Sequence, residues 1–482
     1  LPVFSVLPVL PAVERAAETE DKKRRGMGKL WQKEYELDEL VERFTVGEDW
    51  RLDTELITAD CLGSIAHARG LLAAGLLRPE EKEALEGELR GIIAEAQRGE
   101  FGVVAADEDG HTAIENRLVE RLGETGKRIH TGRSRNDQVL TALRVYGRDA
   151  VHGLLEAGSG TLRALLACAQ RWEHSPMPGR THMQIAMPSS VGLWAAAYAE
   201  ELLDGLEFLR SSADHVDQSP LGSAAGYGVP LPIDRRYTAE LLGFRKVQRN
   251  VLYAGNSRGK FEGILIDAAE QLMLTLSKLA QDLILFALPE FGYVTLPKEL
   301  CSGSSIMPQK RNPDALELLR AKAATMTGYG QQIKGAIRSL PSGYNRDYQE
   351  TKEPFLRGLK LTREALAVVQ RTMERVEFHP ERLSAAFPRE IFATDAAYEK
   401  VREGMSFRDA YREIGRNLEA VGERSPAASI AERTGLGTTG NLGLAELERE
   451  IEALEGELQS RLERNSAYME ALAGTQVRPA GV

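Results

Sequence analysis

Residues 262–288 read EGILIDAAEQLMLTLSKLAQDLILFAL, and this stretch decides the fold class. Leu265, Ala269, Leu272, Leu276, Leu279, Leu283 and Phe286 recur at steps of three and four, the period of one helix face. Ile264, Met273, Leu274 and Ile284 widen the apolar surface beyond that face, so a helix here must be buried among other helices. The same period runs through 139–172, 189–215 and 312–337; in the last, Pro313 is expected in the first turn, where a missing N–H costs nothing. Alternating β-branched runs bounded by turns are scarce. The chain is therefore expected to be all-α, built round a central bundle of long helices.

The 482 residues, 43% hydrophobic and 27% charged, provide for a large core spread over more than one domain. The opening 1–13 is apolar but is broken by Pro2, Pro8 and Pro11 and lacks the basic run that precedes a signal segment, so 1–26 is expected to be a disordered extension ending near Met27. An N-terminal helical domain is expected over 27–132 and a central helical bundle domain over 133–380. A small helical C-terminal domain follows over 381–482, with a Gly-rich turn at 435–440 and a charged last helix near 444–472.

Lys and Arg number 61 against 71 Asp and Glu, and a net charge of −10 argues against nucleic acid as a partner. No stretch reaches the roughly 18 uninterrupted apolar residues of a membrane span. Cys61, Cys168 and Cys301 are odd in number and widely spaced, which suits a reducing, cytoplasmic setting.

Gly435, Gly437 and Gly440 satisfy the pattern GxGxxG, but neither a preceding strand nor the distal acid of a dinucleotide site is evident, so a loop joining helices is expected there. Asp107, Glu108, Asp109 and His111 precede a helical pattern and read as the negative charge that complements a helix N-terminus, not as a metal site. Thr131-Gly132-Arg133-Ser134-Arg135-Asn136-Asp137-Gln138 is sharper. It is either a solvated cap built on Ser134 or Asn136, or a carboxylate site in which arginine forks and helix N–H groups converge. His182 is one of eight histidines and sits between Pro178 and Pro188, which suggests a fixed loop placed for proton transfer near neutral pH. In Gly303-Ser304-Ser305-Ile306-Met307-Pro308-Gln309-Lys310-Arg311-Asn312-Pro313-Asp314, a donor-rich loop precedes cations at a helix start, a poor arrangement unless an anion is near. Loops of this kind close over substrates.

That segment resembles the signature G-S-S-x-M-P-x-K-x-N-P of the fumarase/aspartase superfamily, matched without a gap over 303–313. Within the superfamily, the 131–138 loop, Asp60-Cys61-Leu62-Gly63-Ser64 and Tyr344-Asn345-Arg346-Asp347-Tyr348-Gln349 are similar to the argininosuccinate lyases. The resemblance implies a three-domain helical subunit in a homotetramer with active sites shared between subunits. It also implies cleavage of an N-succinyl substrate to fumarate by β-elimination, with no cofactor and no metal. Residue by residue, it implies Ser304 and His182 as the acid–base pair, in a direction the resemblance leaves open, and Glu317 as the carboxylate paired with the histidine. Lys310 and Asn312 correspond to carboxylate-binding positions, and Ser134, Arg135, Asn136, Thr181, Tyr344, Arg346, Gln349 and Lys352 to substrate-binding ones.

Three positions depart from the pattern: Gly47 where a serine is usual, Arg180 where a tyrosine precedes Thr-His, and Thr351 where an acid precedes Lys352. The alternatives are a sister lyase acting on another N-substituted aspartate such as adenylosuccinate, and, from another class, a non-catalytic structural helical tetramer. The 131–138 loop speaks against the first and the joint presence of Ser304, His182 and Lys310 against the second.

Overall fold

The computed structural model describes residues 38–477; the extension expected over 1–26 and the start near Met27 lie outside them. After a short helix α1 (Glu39–Val46), the N-terminal part is built from α2 (Ile57–Ala73), α3 (Pro79–Gln97) and α4 (Gly110–Leu122). The long helices follow: α5 (Arg135–Arg171), α6 (Val191–Val216), α7 (Lys260–Phe286), α8 (Asp314–Ile337) and α9 (Lys352–Met373). Helix α7 lies against α6, α8 and α9, and α5 against α2, α6 and α9, which makes the all-α bundle the periodicity predicts.

The apolar stripe of α7 behaves as its spacing demands. Leu265, Ala269, Leu272, Leu276, Leu279 and Leu283 are all buried, and so are Ile266, Ala268, Met273 and Ala280 on the flanking faces. The chain's own neighbours therefore absorb most of the helix's apolar width, leaving Leu274 exposed. Pro313 is a correction: it stands at the N-cap of α8, with φ −80° and ψ 49°, one residue before the first turn.

The proline-flanked segment around His182 is also not a loop. It is an antiparallel hairpin of β1 (Pro176–Thr181) and β2 (Gln184–Ser190), with Thr181 opposite Gln184 and a bulge between Pro178 and Arg180. Prolines are tolerated because this two-stranded sheet has only edges.

Beyond Phe378 come short helices α10 (Ala393–Arg402), α11 (Phe407–Arg416) and α12 (Pro426–Ala431), with a separate small apolar cluster of Ile391, Phe392 and Val421. The glycines at 435–440 form the loop between α12 and α13 (Leu444–Ala473), as expected. Helix α13 then returns along α5 and also reaches α6, where Arg461 bonds Asp214 at 2.7 and 2.9 Å. Its last turn is held to the N-terminal helices by Arg69, which donates to the Ala471 carbonyl, and Arg90, which donates to that of Leu472. Among the described residues no helix is long and apolar enough to cross a membrane.

Candidate active site

The 131–138 segment is a capped helix start held from behind. Ser134 is the N-cap of α5 and accepts from Asn136 N, while Asp137 accepts from Ser134 N in a reciprocal capping box. Buried Arg133 donates to Ser64 Oγ at 2.8 Å, and His67 Nε2 meets the Thr131 carbonyl at 2.9 Å. His67 is fully buried, and burial together with the Arg133 charge holds it well below the usual histidine range, so it is neutral. The motif at 60–64 thus serves as the support of the 131–138 loop. Asp137 also accepts from Gly222 N and Ala224 N, which joins that loop to the turn at 220–224.

In front of this support a cleft of about 180 Å³ is lined by Arg135, Asn136, Tyr344, Arg346, Gln349 and Lys352, six of the residues singled out from sequence. The same cleft is lined by Asp49, Asp53, Glu108, Asp109, His111 and Arg258, which were not assigned there. Asp109 does cap α4 as expected, accepting from Thr112 N at 2.8 Å, yet with Glu108 it also ion-pairs Arg135. His111 Nδ1 is bonded to Asp60. Burial opposes charge on His111, but Asp60, with Asp109 and Asp53, together outweigh it and lift the imidazole above its ordinary range.

Lys352 is almost completely buried, with Nζ 2.5 Å from Asp53 and 3.0 Å from Asp49. Burial pulls its pKa down, but the Asp53 and Asp49 carboxylates more than offset this and hold it above the usual lysine range. Thr351, next to it, is buried and donates to the Tyr348 carbonyl. Arg346 and Gln349 both donate to the Thr45 carbonyl, and Gln349 also to that of Val46, so they fix the end of α1 at the rim of the cleft.

One departure is explained by the backbone and another by side-chain contacts. Gly47 has φ 54° and ψ −134°, which a serine would adopt only under strain, and Gly47 does not line the cleft; Asp49 does. Arg180 turns away along its hairpin, over the Phe291 ring at 4.9 Å and towards the Tyr293 hydroxyl.

The proton-transfer candidates are not part of this cleft. His182 and Met183 form the two-residue tip of the hairpin with φ of 52° and 63°, a turn normally given to Asn and Gly, and both side chains are exposed. Non-glycine residues in that region store strain of the kind found at functional sites. Thr181 is exposed beside them. Ser304 sits on a projecting segment whose ends pair as β3 (Ser302–Gly303) with β4 (Arg311–Asn312), and its Oγ accepts from Ile306 N at 3.3 Å and Met307 N at 3.0 Å. Lys310 and Glu317 are exposed, and Asn312 Nδ2 reaches Ser302 Oγ and the Gly303 carbonyl at 3.5 Å. Among the described residues no hydrogen bond or ion pair within the chain joins His182 to Ser304 or to Glu317.

The comparisons with known proteins bear on most of the chain. A sequence model described as lyase matches residues 32–328. The chain is 45% identical over 424 residues to the argininosuccinate lyase of Sorangium cellulosum, covering 88% of this chain and 98% of that protein. It is 43% identical to that of Thermotoga neapolitana, covering 80% and 97%, and 42% identical to that of Xylella fastidiosa, covering 87% and 94%. Among solved structures, an EDDS lyase in complex with formate superposes with a TM-score of 0.76 at 20% identity, covering 91% of this chain and 95% of that one. A class II fumarase from Schistosoma mansoni does so with a TM-score of 0.67 at 15% identity, covering 85% and 94%. At those identities the structures speak for the fold.

Proposed function

The chain belongs to the argininosuccinate lyase family of carbon–nitrogen lyases, and from that premise we propose that it splits argininosuccinate into arginine and fumarate in arginine biosynthesis, with Ser304 and His182 as the proton-transfer pair. The observation that carries the mechanism is the environment of Ser304. A serine hydroxyl is a poor base in water, and its Oγ already accepts from the N–H groups of Ile306 and Met307, donors that would stabilise an alkoxide when the loop shuts. Removing the proton next to a carboxylate builds negative charge on its oxygens, and each preorganised donor aimed there is worth about 3 to 4 kcal/mol. Lys310 and Asn312 take that part, and His182 delivers or orients the proton that leaves with nitrogen.

The substrate cleft and the Ser304–His182 pair are completed by assembly as a homotetramer, in which one subunit's hairpin tip and loop meet another's cleft. Helix α8 supports this. It uses one narrow face, with Leu316, Leu319, Ala323, Met326 and Ile333, for its own chain, and turns Leu318, Ala321, Ala324, Thr325 and Gly328 outward. Small residues on that face allow another helix to approach closely, and Leu318 and Leu274 supply apolar area to bury. Glu317 on the same helix is then the partner for a histidine from another chain. The unpaired cysteines fit a cytoplasmic setting.

Ultraviolet detection of fumarate, with argininosuccinate, adenylosuccinate, aspartate and malate offered separately to the purified protein, tests the assignment. Release from argininosuccinate alone is the expected result. Release from adenylosuccinate in its place would transfer the assignment to the sister reaction, and no release from any would favour the structural tetramer.

A further inference from the structure

His182 and Met183 stand at the two central positions of the turn that joins β1 to β2, with φ of 52° and 63°. Positive φ at both positions suits the twist of the strands, but a Cβ disfavours it, which is why Asn-Gly is the usual choice. Thr181, His182, Met183 and Gln184 are all exposed, so packing of the turn's own side chains does not hold it in this conformation. Arg180 supplies a tie from the strand below. Its Nη1 donates to the Met183 carbonyl at 3.3 Å, across the turn, and its Nη2 donates to the Tyr293 hydroxyl at 3.4 Å. The guanidinium also lies over the Phe291 ring, 4.9 Å from its centre. The far end of this tie is fixed. Tyr293 is 3% exposed, its carbonyl accepts from His379 N, and its ring packs on Phe286 and Phe291 at 5.8 and 5.3 Å. Phe286 packs in turn on Trp194 at 5.6 Å, so Arg180 connects the turn to an aromatic cluster of the helical body. The tyrosine usual at this position in the family carries one O–H and can make only one of the two donations.

We propose that Arg180 is the positioning residue of His182: it holds the 181–184 turn in its left-handed form and thereby fixes the direction in which the imidazole leaves the hairpin. Proton transfer needs the ring within hydrogen-bond reach of its target, and a turn free to adopt other conformations spends less time aimed there. Arg180 acts through the backbone of the turn and not on the reacting atoms. The inference deepens the proposed function and rests on the role given there to His182.

The test places Arg180→Met, Arg180→Lys and Tyr293→Phe in the wild-type and His182→Asn backgrounds and measures fumarate release from argininosuccinate. Arg180→Met keeps the length and removes the donors. It is expected to lower kcat about tenfold or more with KM within about twofold, because only the aim of the imidazole is lost. Arg180→Lys recovers part of the rate, and Tyr293→Phe, which removes only the hydroxyl that receives Nη2, lowers kcat by a smaller factor. In the His182→Asn background, Arg180→Met should cost less than about twofold, since no imidazole remains to be aimed. Equal losses in both backgrounds would mean that Arg180 meets the substrate or only holds the fold, and would overturn the proposal, as would an unchanged kcat in Arg180→Met and Tyr293→Phe. Amide hydrogen exchange over 177–188, read by mass spectrometry, needs no turnover. Faster exchange in Arg180→Met, confined to the hairpin, is expected, and exchange at the wild-type rate would overturn the tie whatever the kinetics. If no substrate yields fumarate, faster exchange upholds the tie and removes the reaction it serves, whereas fumarate release with an unaltered hairpin keeps the reaction and removes this role for Arg180.

Discussion

Lys352 Nζ stands 2.5 Å from Asp53 Oδ1, with both side chains only 2% exposed. The pair fastens the first turn of α9 to the segment after α1, two parts of the chain far apart in sequence, and makes one wall of the cleft. Burial pushes the Asp53 carboxyl up, but Lys352 and His111 pull it down further, so it stays ionised and the pair is a true ion pair.

Replacing Lys352 with methionine leaves Asp53 and Asp49 buried without their cation. Thermal or urea unfolding should show a loss of about 3 to 5 kcal/mol, the usual consequence of removing one member of a buried pair. A variant as stable as wild type would show that water already reaches these carboxylates.

Ser304→Ala and His182→Asn should each lower turnover by about a hundredfold or more, as loss of an acid–base group does, while sedimentation shows the same assembly as wild type. His182 is exposed and Ser304 half-buried on a projecting segment, so neither change disturbs a core. Near-normal rates in both would remove the pair from the mechanism.

Gly47→Ser restores the residue usual in the family at a φ of 54° and ψ of −134°. A Cβ there meets nothing within 4 Å, so the effect is purely conformational. Stability should fall by about 1 to 3 kcal/mol without any gain in substrate affinity; a tighter KM would mean that the hydroxyl reaches the substrate after all.

His152 should make stability fall on the acid side. Burial, aided by Arg148, Arg461 and Arg464, lowers it from 6.5 to about 4, against a weaker opposing pull from Asp214. Between those values the unfolded chain binds a proton that the folded chain refuses, so stability contributed by the neutral ring is complete above pH 6.5 and is lost as pH falls through that window. His152→Gln should flatten this part of the stability profile, read from melting temperature against pH; an unaltered slope would mean that the ring is already free to ionise in the folded protein.

The long helices were legible because their apolar period is unbroken: 262–288 was expected, and Lys260–Phe286 is found. The hairpin carrying His182 was not, because its prolines hide a strand and its tip lacks the Asn-Gly that announces such a turn. Arg135, Asn136, Tyr344, Arg346, Gln349 and Lys352 were recognised through motifs and do meet in one cleft. Asp49, Asp53 and Arg258 escaped because nothing local marks them. Their meaning lies in a charge match between distant segments, and periodicity carries no information about that. The acids at 107–109 illustrate the same limit: the helix-cap reading of Asp109 holds, and the same side chain also pairs with Arg135 at the cleft.

The anchoring of Arg69 and Arg90 to the carbonyls of Ala471 and Leu472 has a consequence for biogenesis. The support behind the 131–138 loop lies in α2, yet its outer brace, α13, comes after the whole bundle in sequence. A nascent chain can form the bundle as it emerges, but the N-terminal scaffold is not locked until α13 has followed. Ribosome-stalled or prematurely terminated chains should therefore remain protease-sensitive around α2 and α3, however well their long helices have formed.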